Sequence, residues 1–230
     1  MSRRGRVLSE VATGILATSG RDVVRVGVDG VDGAGKTVFA DELALVLRES
    51  GRTVIRASVD SFHSPRAVRY RQGRDSPRGF FEDSYDYAAL ARLLLDPLSE
   101  GGDRRFRREA FDHRRDAPVT AAEEVAPAGA ILVFDGIFLH REELRRYWDY
   151  SVFLEVPFHI SIPRGAQRGE GAADPGAASN RRYVEGQQIY LTTCRPRERA
   201  TLVVNNEDLD APFIVRLNLV GDRFPKGVED

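Results

Sequence analysis

Apolar residues change their spacing several times along this chain, and each change marks an element. Val7, Leu8, Val11, Ile15 and Leu16 fall at helical spacing, so residues 6–19 are expected to form a helix packed on a sheet. Val23-Val24-Arg25-Val26-Gly27-Val28 is apolar and β-branched, which predicts a strand over about 23–29. Helical spacing returns with Phe39, Leu43, Val46 and Leu47 on one face and stops at Gly51. Residues 53–59 read as a second strand, ending at Asp60. Residues 61–82 are rich in Arg, Pro and Gly and read as a long surface loop, of a length that usually has a functional reason or is disordered. Tyr87, Leu90, Leu94 and Leu98 predict a helix from about 86, with Pro97 marking its end.

Residues 101–129 open with Gly-Gly and carry two short segments, 105–113 and 119–125, around Asp116-Ala117-Pro118. A β-hairpin standing apart from the core is expected there. Ala130-Ile131-Leu132-Val133-Phe134 is a continuous apolar run, the pattern of a strand buried on both faces, and it ends at Asp135-Gly136. A short helix around 141–148, a strand over 150–156, a helix around 181–194 and a short strand at 201–204 complete the order. Residues 165–180 are dominated by Gly, Ala and Asp, a composition that packs poorly and predicts mobility. Apolar strands alternating with helices imply a parallel α/β sheet covered on both faces.

Composition narrows the class. No linker divides the 230 residues, so one domain over 1–230 is expected. A formal net charge of −1 argues against a general nucleic-acid binder. The single Cys194 excludes an internal disulfide and suits a reducing compartment. No apolar run approaches the ~20 residues of a membrane span. Ser2-Arg3-Arg4-Gly5-Arg6 is basic but is followed by no long apolar stretch of the kind a signal peptide carries. The expectation is a cytoplasmic protein with neither nucleic acid nor membrane as partner. Homo-oligomerisation stays open.

The chemistry concentrates in Gly30-Val31-Asp32-Gly33-Ala34-Gly35-Lys36-Thr37, which fits G-x-x-x-x-G-K-[ST] at every fixed position and sits between a strand and a helix. Glycines let the backbone curl so that successive N–H groups converge on a phosphate, and the following helix adds its positive end. Lys36 reaches terminal phosphates and the Thr37 hydroxyl can hold Mg²⁺. Only Lys36 and Lys226 are lysines in this arginine-rich chain, which makes a lysine at the required position more telling. Gly30, Gly33, Ala34, Gly35, Lys36, Thr37 and Val38 are the candidate contacts to a nucleotide.

In an open parallel sheet the ligand lies beyond the carboxyl ends of the strands. Asp60 and Asp135 both end strands there, and either can ligate a metal or serve as base for a hydroxyl. An Asp after a strand can also merely cap a turn. Arg164 and Arg168, four apart, bracket the Gly/Ala-rich stretch together with Arg181 and Arg182, so a lid closing over a transferring phosphoryl group and a solvated arginine surface are both open. His113 can face a substrate ring or solvent. Arg66, Arg69, Arg71, Arg74 and Arg78 of the 61–82 loop can bind phosphate or water.

Together these residues resemble the uridine kinase family of phosphate-loop nucleoside kinases, with phosphoribulokinase and bacterial pantothenate kinase as relatives. The resemblance spans about residues 22–205 and rests on five matches in order. They are Gly-Ala-Gly-Lys-Thr, Val59-Asp60-Ser61-Phe62, the acidic-aromatic Phe81-Glu82-Asp83-Ser84-Tyr85-Asp86-Tyr87, Phe134-Asp135-Gly136-Ile137 and Arg164-x-x-x-Arg168. The resemblance implies a five-stranded parallel sheet in the order 2-3-1-4-5 with helices on both sides, a hairpin insertion over about 101–129 and a lid over about 164–182. It implies an ATP- and Mg²⁺-dependent kinase acting on the 5′-hydroxyl of a pyrimidine nucleoside. Asp60 would be the base, with Thr37 and Asp135 on Mg²⁺. Lys36, Arg164 and Arg168 would embrace the phosphates, and Glu82 or Asp86 the ribose. Phe62 would line the substrate side, and Phe111 and His113 would receive the nucleoside base. The lid and hairpin depart from the family pattern, so pantothenate, nicotinamide riboside or another hydroxyl is the alternative acceptor. A nucleotide-dependent switch is the alternative of another class.

Overall fold

A computed structural model describes residues 1–18, 20–169 and 171–217. The sheet is built around β1 (Val23–Gly30), whose eight residues are all buried. It is flanked on both sides by parallel partners, Val26 lying opposite Val133 on one side and Tyr150 on the other. The partners are β3 (Ala130–Gly136) and β4 (Tyr150–Glu155), and beyond them lie β2 (Val54–Ser58) and β5 (Leu202–Asn205). The expected order 2-3-1-4-5 is that of these parallel strands. A sixth strand, β6 (Phe213–Leu217), extends the sheet antiparallel to β5, so the sheet has six strands where five were expected. The sequence hides it because only Ile214 packs inward while Phe213, Val215 and Leu217 remain exposed.

Each sheet face is covered. Helix α1 (Arg3–Leu16) buries Val7, Leu8, Val11 and Ile15 in one core with Phe39, Leu43 and Leu47 of α2 (Lys36–Glu49). Its N-terminus is capped by Ser2, whose Oγ accepts from the Gly5 N–H at 3.0 Å. The expected end of this helix at residue 19 lies outside the described residues. The opposite face carries Phe62, Leu90, Leu94, Phe106 and Trp148 against Leu132 and Phe134. Burial on both faces is why β3 reads as a continuous hydrophobic run, and β1 departs from one only at Arg25, Gly27 and its last residues.

Several segments differ from expectation. Residues 61–82 are largely helical: a turn at Arg66–Arg69 and α3 (Pro77–Asp83) interrupt what read as loop. Pro77 opens α3 and the Ser76 Oγ accepts from Gly79 N–H at 3.0 Å, a start signal inside a Pro/Gly-rich stretch. The hairpin is two short nested ladders, Arg105–Phe106 with Glu124–Val125 and Phe111–Asp112 with Ala117–Pro118. It does not stand apart, because Phe106 and Ala126 are buried in the second core. The helix expected from 86 is one turn, Tyr87–Leu90, that widens into a π-type turn at Ala91–Leu95. The one expected at 141–148 covers only Glu142–Arg145. A helix α4 (Phe158–Gln167), with Pro163 in its interior, occupies the start of the segment read as mobile. Helix α5 (Arg181–Cys194) lies where the spacing placed it. Residue 170 of the 165–180 segment lies outside the described residues. No helix among the described residues is long and apolar enough to cross a membrane.

Candidate active site

The phosphate loop connects β1 to α2, and two of its glycines are sterically required. Gly33 has φ +75°, and a Cβ there would lie 2.0 Å from the Ser161 carbonyl oxygen. Gly35, the N-cap of α2, has φ +87°, in the left-handed region that favours glycine. Lys36 curls back over the loop, its Nζ donating to the Val31 carbonyl at 2.9 Å, with the Asp32 carboxylate 3.9 Å away. The loop is tied to the fold behind it. The Asp32 N–H donates to Gln187 Oε1 of α5 at 2.6 Å, and the Gly30 N–H to Asp29 Oδ1 at 2.7 Å. Asp29 is itself fully buried and takes hydrogen bonds from the Tyr190 hydroxyl and from His140 Nδ1 at 2.6 Å. A buried carboxylate saturated with donors fixes the end of β1 from which the loop departs.

A cavity of about 260 Å³ opens at the carboxyl ends of the strands. On one side it is lined by Asp32, Gly33, Gly35, Lys36, Thr37 and Val38; on the other by Asp60, Tyr85, Asp135, Gly136 and Ile137, with Arg168 also at its wall. Asp135 is buried at its floor. Its Oδ2 accepts from Thr37 Oγ1 at 2.7 Å and its Oδ1 pairs with Arg56 Nη2 at 2.8 Å. Arg56 reaches there from β2 and also pairs with Asp41 on α2 at 2.9 Å. One hydroxyl and one carboxylate side by side at a phosphate loop fit a hard divalent cation that takes its other oxygens from water and phosphate. Among the described residues no cluster of three or more His, Cys, Asp or Glu competes for a metal.

Asp60 sits on the tight turn Val59–Phe62 after β2, exposed at the cavity wall. The buried Tyr85 hydroxyl donates to its Oδ1 at 3.4 Å. Burial first, and the Asp60 charge second, hold the Tyr85 phenol well above its ordinary pKa, so it stays a neutral donor. His63 Nδ1 lies 2.8 Å from the Asp60 carbonyl oxygen. Its ring packs against Tyr85 with centroids 4.6 Å apart and stacks on His113 at 4.7 Å. Burial lowers the His63 pKa in spite of the opposing pull of the Asp60 backbone and charge. A column of three flat rings therefore stands beside Asp60.

The structure thus brings Lys36, Thr37, Val38, Asp60, Asp135 and Arg168 to one cavity, with His113 one ring removed. Other candidates are placed elsewhere. Phe62 is fully buried in the core, and Phe111 is buried on the hairpin opposite Pro118. Glu82 accepts from Gln72 and Arg78 on its own local surface, and Asp86 accepts from the Ala89 N–H at 2.8 Å as a helix cap. Arg164 donates to the carbonyls of Asn206, at 3.1 Å, and Glu207, so it faces the loop after β5 rather than the cavity. Arg182 is buried and donates to the carbonyls of Arg69, Gly73, Arg74 and Ser76, ordering the loop ahead of α3. Tyr85, His63, Arg56 and Gln187 carry no motif of their own. Only the acidic-aromatic run around Tyr85 hinted at a site.

A phosphate loop, a metal-competent Thr–Asp pair and a further carboxylate at the strand ends of a mainly parallel sheet have the layout of a phosphate-loop phosphotransferase. The model of the phosphoribulokinase / uridine kinase family matches residues 25–170, more than half of the chain, and the chain belongs to that family. It is an ATP-dependent small-molecule kinase. Among solved structures it is similar to a possible uridine kinase from Bacillus stearothermophilus, at 25% identity and TM-score 0.67, covering 86% of this chain and 97% of that one. D-glycerate 3-kinase from Cryptococcus neoformans shares the fold at 12% identity and TM-score 0.58 over 91% of this chain and 99% of that one. So does phosphoribulokinase from Rhodobacter spheroides, at 12% identity and TM-score 0.56 over 81% and 71%. No curated protein sequence is significantly similar to the chain.

Proposed function

We propose that the protein transfers the γ-phosphoryl group of ATP to the 5′-hydroxyl of a pyrimidine nucleoside. The observation that carries this reading is that Asp60 shares one cavity with Lys36 and Thr37, at the foot of the Tyr85–His63–His113 ring column. Flat rings beside an acidic acceptor site suit a flat base, and the similar possible uridine kinase points the same way. Asp60 accepts the hydroxyl proton as the acceptor oxygen bonds to the γ-phosphorus and the bond to the β–γ bridging oxygen breaks, releasing ADP. Tyr85 orients the Asp60 carboxylate. Lys36 and the loop N–H groups neutralise the charge on the phosphates, and Arg168 stands at the same wall. Thr37 and Asp135 would hold Mg²⁺, which when bound supplies charge neutralisation at the β- and γ-phosphates.

A second acceptor class is favoured by one observation. Glu82 and Asp86, expected on ribose hydroxyls, are spent on local hydrogen bonds, which suits a small hydroxy acceptor without a ribose diol. ATP consumption measured over a panel of nucleosides, D-glycerate, pantothenate and sugar phosphates separates the two. Turnover confined to the non-nucleosides would overturn the nucleoside reading. No turnover with any acceptor, together with slow hydrolysis, would return the protein to a switch.

A further inference from the structure

The structure assigns Arg4, on the N-terminal helix and outside the span matched by the family model, as a positioning residue for the nucleotide donor. The inference rests on the reading that the phosphate loop holds ATP. The order of the sheet places the loop after β5 across β3, β1 and β4 from Asp60, so it flanks the phosphate loop on the side away from the acceptor. Asn206 in that loop is fully buried, and its Nδ2 donates to the Ala34 carbonyl of the phosphate loop at 2.8 Å. The Asn206 carbonyl also receives Arg164. Whatever holds Asn206 therefore holds the phosphate loop and Arg164 together.

Arg4 does this from the first turn of α1. Its Nη1 donates to Asn206 Oδ1 at 3.4 Å and to the Leu209 carbonyl at 2.9 Å. Its Nε donates to Glu42 of α2 at 2.5 Å, and its side chain is 13% exposed. The guanidinium also lies over the Phe39 ring at 5.8 Å. A donor on Oδ1 sets the orientation of the Asn206 amide, which sends Nδ2 to Ala34. The rigid fork bridges the helix that starts at the phosphate loop and the loop that backs it, a geometry lysine cannot reproduce. Arg4 touches no expected substrate atom and acts through Asn206.

The test uses the full chain carrying Arg4→Met, which keeps the stem on Phe39, and Arg4→Lys, which keeps the charge and preserves the fold if the first variant does not. Binding of the β,γ-imido analogue of ATP is measured by calorimetry beside KM for ATP and KM for the acceptor. The expected result is analogue binding weakened about three- to tenfold in Arg4→Met and less in Arg4→Lys, the scale of a few hydrogen bonds, with acceptor KM within twofold of wild type. Unchanged analogue binding in either folded variant would overturn the assignment. Equal losses in donor and acceptor constants would also overturn it, since they report general loosening. Failure of the wild-type chain to bind the analogue would instead overturn the kinase reading beneath it.

Discussion

The two sides of the phosphate loop are built differently. On the Asp60 side the polar groups face the cavity and are loosely held. Asp60 is exposed, its contact with Tyr85 is 3.4 Å long, and its neighbours are stacked rings. On the side of the loop after β5 the polar groups are spent inside the protein. Asn206 is fully buried between Arg4 and Ala34, and Arg164 is committed to backbone carbonyls. The difference teaches that the half behind the phosphate loop is organised by hydrogen bonds within the fold, while the Asp60 half is held by a longer contact and stacked rings. Preorganisation of that kind suits a reaction in which positioning and electrostatics supply most of the catalysis.

Substitutions can break or sharpen this contrast. Lys36→Ala removes a charge from the preorganised half and is expected to cut single-turnover phosphoryl transfer by roughly 10³-fold with the thermal midpoint preserved. Near-normal turnover by the folded variant would remove the phosphate loop from the chemistry. Asp60→Asn strikes the other half. It is expected to cost about 10²-fold in transfer, the lower end of general-base contributions because a loose transition state asks less of the base, while ATP-analogue binding holds. Loss of analogue binding along with transfer would make Asp60 chiefly a metal ligand.

Asp135→Asn tests the floor that the halves share. The metal concentration giving half-maximal activity is expected to rise about tenfold or more while acceptor KM changes little, because the amide keeps shape and loses the charge that attracts a hard cation. Its melting midpoint must be read beside it, since Arg56 loses the charge of one of its two carboxylate partners. An unchanged metal profile would confine Asp135 to pairing with Arg56. The smallest effect concerns the ring column. His63 has a lowered pKa in the folded protein, so below about pH 6.5 the unfolded chain binds the proton more readily. Folding stability is then present above that pH and declines as pH falls through it. Chemical denaturation between pH 7.5 and 5.5 should show a shallower decline in His63→Phe than in wild type. Identical slopes would show that other groups set the acid limb.

The strands and the phosphate loop were legible because their causes are local. A loop whose backbone must turn at Gly33 and Gly35 between a β-branched run and a helix declares itself in contiguous residues. The unbroken apolar run at β3 reports burial on both faces without reference to any partner, whereas the buried Arg25 of β1 needs Asp149 beside it. Local signals also misled. The Gly- and Ala-rich composition from 165 on hid the end of a helix that contains Pro163, and the half-exposed β6 lacked a buried run. The composition of 61–82 read as loop although Ser76 and Pro77 start a helix there.

The sequence by itself determined the order of the parallel elements, the phosphate-binding backbone and the strand ends at which acids stand. Those features depend on residue type and near neighbours. Only the tertiary structure decided which side chains those acids meet. Thr37 meets Asp135 across 98 residues, Asp29 meets Tyr190 across 161, and Arg4 meets Asn206 across 202. It also decided that Arg164, of a fitting chemical type, is spent on the Asn206 carbonyl 42 residues away. A side chain's role follows from where the fold leaves its hydrogen-bonding capacity unspent. That is a property of packing between distant segments, which spacing along the chain does not encode.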